Sequence, residues 1–167
     1  SPPLAPVHER AREVSIRPVP SAAPVTQLPL ARRPFSMLAP RVLLIGSSTG
    51  GPQALMSLVA DIGPVIDRFP VLITQHMPPG FTTSFAARLN SLCQITVQEA
   101  VNGERILPGH AYIAPGGKQF RVDRSGANYV AVVEDGELVN RHRPSVEVLF
   151  KSAAAVVGRN AFGIMLT

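Results

Sequence analysis

Two apolar runs, Val42-Leu43-Leu44-Ile45 and Val71-Leu72-Ile73-Thr74-Gln75, each break into a loop and then into a stretch with helical spacing. This alternation constrains the fold more than any other feature of the chain. A short apolar run bounded by turn residues reads as a strand buried on both faces. After the first run, Gly46-Ser47-Ser48-Thr49-Gly50-Gly51 forms a tight loop, and Pro52 suits the first turn of a helix. Leu55, Leu58, Val59 and Ile62 then recur on one face until Gly63-Pro64 stops the helix. After the second run, His76-Met77-Pro78-Pro79-Gly80 leads into a helix from Phe81 to about Leu92, with Phe85, Leu89 and Leu92 on one side. Strand, helix, strand, helix predicts an α/β fold with a doubly wound, mainly parallel sheet and right-handed crossovers.

The middle of the chain departs from this alternation. Residues Gln94 to Glu99 read as a third strand. Tyr112–Ala114 and Gln119–Val122 flank Pro115-Gly116-Gly117, which predicts an antiparallel hairpin. Asn128–Val133 is a further strand ahead of Glu134-Asp135-Gly136. Ser145 is placed to cap a helix running to about Val157, with Val146, Leu149, Phe150 and Ala153 as its apolar face. Gly158 ends that helix, and Ala161–Leu166 predicts a last buried strand. Parallel sheets are covered on both faces, so a sheet reaching Thr167 on that strand is expected to lack a C-terminal part, at least one further helix.

With 167 residues the chain has room for one domain at roughly 100–200 residues per domain. Residues 1–40 hold nine of the 17 prolines and none of the 13 glycines. Proline fixes φ and removes backbone donors, so this stretch is expected to be an extended, flexible linker, with the catalytic candidate confined to residues 41–167. A linker at this position implies a domain before it. The net charge is +5, but residues 1–40 contribute five arginines against two glutamates. Aromatics are only 5% and tryptophan is absent, which argues against a nucleic-acid surface built on a basic face with stacking rings. The single cysteine, Cys93, excludes a disulfide framework and a Cys-rich zinc site, and it suits a reducing compartment. No run approaches the roughly 18 apolar residues of a membrane span, and no signal-peptide core opens the chain. A cytoplasmic location without membrane insertion is the expectation.

In open parallel sheets, ligands bind beyond the carboxyl ends of the strands. Ser48 follows the first strand and His76 the second, so neighbouring strands would bring a hydroxyl and an imidazole together. A serine hydroxyl becomes an effective nucleophile when a base removes its proton, and histidine suits that task. The N–H groups of Thr49 and Gly50, at the start of a helix, are available to an oxyanion. Each residue also has a plainer reading: a serine in such a loop is usually a helix cap, and a histidine after a strand is usually a hydrogen-bonded loop residue. Ser47 is expected to point away from the side Ser48 occupies and ranks second. As a phosphate cradle the loop lacks both the lysine of a P-loop and the GxGxxG spacing. His76, His110 and His142 show no metal-ligand spacing, so neither a metal nor a cofactor is expected. The cluster Arg141-His142-Arg143 is either a solvated face or a contact for an acidic substrate, and Cys93 reads as a buried structural thiol.

Four segments together resemble the catalytic domain of chemotaxis protein-glutamate methylesterases of the CheB type. They are Ile45–Gly51, Ile73–Phe81, Gly103–Gly116 and Val139–Val146, in family order. The resemblance implies a serine esterase of bacterial chemotaxis, a two-component signalling system. It would hydrolyse the methyl esters of receptor glutamates and deamidate receptor glutamines. It implies Ser48 as nucleophile and His76 as general base; Thr49 stays the oxyanion candidate from the loop itself, and Arg141 and Arg143 are candidate docking charges for the acidic receptor surface so implied. The implied partners are the cytoplasmic domains of methylated chemoreceptors and an N-terminal receiver domain, which fits the linker. The family's third catalytic residue is an aspartate in a Gly-Met-Gly-Asn-Asp-Gly segment after a strand ending in Leu-Thr. The chain reaches Leu166-Thr167 without it, so these 167 residues alone are expected to be nearly inactive. The alternative is a non-catalytic module that binds a phosphorylated or acidic partner at the Gly46–Gly51 loop.

Overall fold

The computed structural model describes Pro3 and residues 41–48, 50–64 and 68–167. Apart from Pro3, the expected linker lies outside the described residues, as does Thr49. Among the described residues, seven strands and three α-helices follow one another: β1 (Val42–Ser47), α1 (Gly51–Ile62), β2 (Val71–Gln75), α2 (Phe81–Leu92), β3 (Thr96–Glu99), β4 (His110–Ile113), β5 (Gln119–Ser125), β6 (Asn128–Glu134), α3 (Val146–Val156) and β7 (Ala161–Leu166). Five strands form a parallel sheet in the order β3-β4-β2-β1-β7. The remaining pair, β5 and β6, is an antiparallel ribbon.

Alternation along β1 divides the core in two. Leu43 and Ile45 face α1 and α2, meeting Leu55, Val59, Phe85 and Leu89. Val42 and Leu44 face the other way, onto Phe120, Val122 and Ala131 of the ribbon and Leu149 and Ala153 of α3. All six residues of β1 are buried, as a central strand covered on both faces requires. Each large aliphatic side chain so enclosed stabilises the fold by about 1.5–3 kcal/mol relative to exposure.

Three expectations need correction. The hairpin is not β4 with β5: β4 joins the parallel sheet between β2 and β3, and β5 turns back onto β6 at Gly126. Pro115-Gly116-Gly117 instead passes beneath the loop after β2. A Cβ on Gly116 would lie 2.5 Å from the Pro78 carbonyl oxygen. Its N–H donates to Thr82 Oγ1 at 2.9 Å, so glycine is present there for close approach rather than for a hairpin turn. β7 is not buried: among the described residues it is the outermost strand on its side, with Phe162 46% and Met165 56% exposed. Ser145 does occupy the N-cap position of α3, but its side chain makes no capping bond. Its backbone N–H is satisfied by the buried Gln119 Oε1 at 2.9 Å.

Candidate active site

β1 and β2 pair in parallel with Ser47 opposite Gln75. The next residues, Ser48 and His76, therefore leave neighbouring strands at the same carboxyl edge, where strands stand about 4.8 Å apart. On the other side of β1 is β7, with Leu166 opposite Ser47. The chain runs from β1 to β2 on one side and returns to β7 on the other. The strand order thus reverses at β1, the switch point at which an open α/β sheet forms its crevice.

The loop after β1 is tied down at its first residue. The Ser48 carbonyl accepts from Gly51 N at 2.8 Å and from Gln75 Nε2 at 2.9 Å. Ser48 N donates to the Leu166 carbonyl at 3.4 Å, and His76 N donates to the Ser47 carbonyl at 3.2 Å. Ser48 is half-buried, whereas Ser47 is fully enclosed. The Ser47 hydroxyl fills the space beneath Gly51, where an added Cβ would fall 1.5 Å from it. α1 begins directly after this loop with no acidic residue in its first turn, so its positive end is uncompensated.

His76 is half-buried, and its Nε2 is buried without a hydrogen-bond partner. Its ring lies against that of His142, centroids 3.7 Å apart and planes within 8°. Burial, and secondarily the charge of His142, push the His76 imidazole below its ordinary value of 6.5. Both rings border two cavities. One, of about 350 Å³, is completed by Met77, Pro78, Leu138, Arg141, Arg143 and Pro144. The other, of about 260 Å³, includes Glu147, Phe150 and Met165. Ser48 stands at the sheet edge and lines neither. Arg141 and Arg143 are exposed, and Arg143 Nη1 donates to the Gly136 carbonyl at 2.8 Å.

The structure thus brings Ser48, His76, Arg141 and Arg143 to one end of the sheet. His110 starts β4 at the opposite, amino edge, and its Nδ1 lies 3.0 Å from the Pro108 carbonyl oxygen. Cys93 caps the C-terminus of α2, partly buried, with its thiol pushed up by burial. Among the described residues, no cluster of three His, Cys, Asp or Glu side chains could hold a metal ion, and no helix is long and apolar enough to cross a membrane. Sequence reasoning missed the stacked His142 and the anchors Gln75 and Gln119. A polar residue at the end of an apolar strand was the one available signal for Gln75.

These features define a doubly wound α/β domain whose crevice opens at the β1/β7 switch point. A sequence model of the CheB methylesterase family matches residues 43–167, and the chain belongs to that family. It is 75% identical over 127 residues to protein-glutamate methylesterase/protein-glutamine glutaminase 1 of Albidiferax ferrireducens, covering 76% of this chain and 34% of that protein. The group 2 operon enzyme of the same name from Bradyrhizobium diazoefficiens is 53% identical over 173 residues, covering 100% of this chain and 44% of the relative. The chain therefore spans less than half the length of these relatives. The crystal structure of the Thermotoga maritima CheB methylesterase catalytic domain matches with a TM-score of 0.71 and 35% identity, over 78% of this chain and 68% of that one.

Proposed function

We propose that the chain is part of the catalytic domain of a chemotaxis protein-glutamate methylesterase, which hydrolyses glutamate methyl esters on chemoreceptors and deamidates receptor glutamines. The observation that carries this reading is the β1/β2 register, which sets Ser48 and His76 on adjacent strand ends, with His76 Nε2 left without a partner. Ser48 Oγ attacks the ester carbonyl while His76 takes its proton. The tetrahedral oxyanion is assigned to backbone N–H groups of the loop, that of Thr49 among them. His76 returns the proton to the departing methoxide, and methanol leaves. Water, deprotonated by His76, then attacks the acyl-serine and releases glutamate. From a glutamine substrate the same steps release ammonia.

The lowered affinity of His76 for protons supports its part, because a base must be neutral to accept one. The enclosed Ser47 hydroxyl favours Ser48 as nucleophile. In the family pattern an acidic residue follows a strand ending in Leu-Thr. β7 carries that ending to the rim beside Ser48, where a Cβ on Gly50 would lie 3.8 Å from the Thr167 carbonyl. Arg141 and Arg143 border the cavity next to His76, a suitable place for charges that meet an acidic receptor surface. The enzyme works in the cytoplasm under the control of a receiver domain.

Ser48→Ala in the full-length protein tests this. Methanol release from methylated receptor is expected to vanish while receptor binding persists. Retained hydrolysis would overturn the assignment of Ser48 as nucleophile, and a wild-type protein that binds receptor but releases no methanol would leave binding at the Gly46–Gly51 loop as the function.

A further inference from the structure

We propose that His142 is a positioning residue for the general base, its imidazole lying face to face on that of His76 and fixing the plane of that ring at the crevice. The proposal rests on the reading of His76 as the base. The two residues are far apart in sequence, and their rings meet at 3.7 Å with an 8° tilt. His142 is itself exposed, so it covers one face of His76 and turns its own outer face to water.

The backbone that delivers His142 is strained to do so. Asn140 and Arg141 both adopt positive φ, 50° and 65°, although neither is glycine. Residues with a side chain rarely adopt such conformations, which persist where the surroundings enforce them. Here the surroundings are specific. Val139 and His142 exchange two backbone hydrogen bonds of 3.0 Å, closing the turn. Gln119, 3% exposed, donates from Nε2 to the carbonyls of His142 at 3.0 Å and Glu137 at 2.9 Å. The loop is thus built around a buried amide, and its outcome is the placement of one ring.

The charged groups bordering the pair are Arg141 and Arg143 on one side and Glu147 on the other. Glu147 is held by Lys151 and by Asn140. Two imidazoles in this contact repel one another when both are protonated, so the stack favours the neutral, proton-accepting form of His76 as well as its orientation.

The test compares His142→Ala and His142→Phe in the full-length protein. His142→Ala is expected to lower kcat about tenfold to a hundredfold with KM little changed, as a misplaced base would. His142→Phe keeps a flat ring and is expected to restore kcat to within a few-fold. NMR titration of the His76 ring is expected to move upward in both variants, because the coulombic influence of His142 that lowers it is gone, and the acid limb of the rate profile is expected to follow it. A His142→Ala protein with unchanged kcat and an unmoved His76 titration would overturn the positioning role and leave the proposed function standing. So would a His142→Phe protein as slow as His142→Ala at an unaltered melting temperature, or a loss confined to KM. Undiminished activity in His76→Ala would overturn both.

Discussion

Gln75 donates its side-chain amide to the Ser48 carbonyl across 2.9 Å, joining the strand that ends in His76 to the loop that carries the serine. Gln75 itself is fully buried, whereas Ser48 at the other end of the bond is half-buried. Gln75→Leu fills a similar volume and removes this tether along with an Oε1 that has no partner of its own. Stability is expected to fall by only about 1 kcal/mol, because the lost bond is partly offset by the lost orphan. The rate is expected to fall about tenfold or more through kcat, as the loop is freed. Urea unfolding and steady-state hydrolysis in the full-length protein measure the two separately.

The adjacent serines are expected to respond in opposite ways. Ser47 Oγ is buried and unpartnered, so Ser47→Ala removes an unsatisfied group and is expected to leave stability equal or slightly raised, with hydrolysis intact. Gly51→Ala drives a methyl group into the same space, 1.5 Å from that hydroxyl, and is expected to destabilise by about 1–3 kcal/mol. Combining Gly51→Ala with Ser47→Gly is expected to recover part of that loss. Denaturation midpoints of the three variants decide it.

How far this arrangement is legible in the chain depends on the distance over which each part is specified. β1, α1, β2 and α2 follow from local period and punctuation, and with them the shared edge of Ser48 and His76. The fate of Pro115-Gly116-Gly117 is different. Two strands flanking a glycine turn look like a hairpin unless the passage of Pro78 over Gly116 is known. The pairing of His142 with His76 is harder still, because it depends on Gln119 gripping a loop more than a dozen residues away. An Arg-His-Arg cluster gives no sign of which way its central ring will turn.

Acidification is expected to affect rate and stability in the same direction. His76 holds its proton less tightly in the fold than in the open chain, chiefly through burial and secondarily through His142. Hydrolysis is therefore expected to persist below the ordinary histidine value of 6.5 before the base becomes protonated. In the same range the unfolded state binds more protons than the native state. The contribution of His76 to stability is complete above that ordinary value and is lost as the pH falls through the depressed one. A pH series of kcat/KM beside urea midpoints checks both signs.

Gln119 anchors the loop before α3 by three bonds: two from its amide nitrogen and one accepted from Ser145 N. Gln119→Leu leaves that buried N–H without a partner and is expected to destabilise by about 1–3 kcal/mol. It is also expected to abolish the nuclear Overhauser contact between the His76 and His142 rings. A variant that loses stability while keeping the contact would show that the positive-φ turn holds itself.

β1 has β2, which closely follows it in the chain, on one flank, and β7, the last of the described strands, on the other. During synthesis, the first four strands of the sheet to emerge can assemble while β7 is still inside the ribosome. The crevice then has one wall. The second wall waits for β7, so a polypeptide released before it carries its serine and histidine on a rim that is still open on one side.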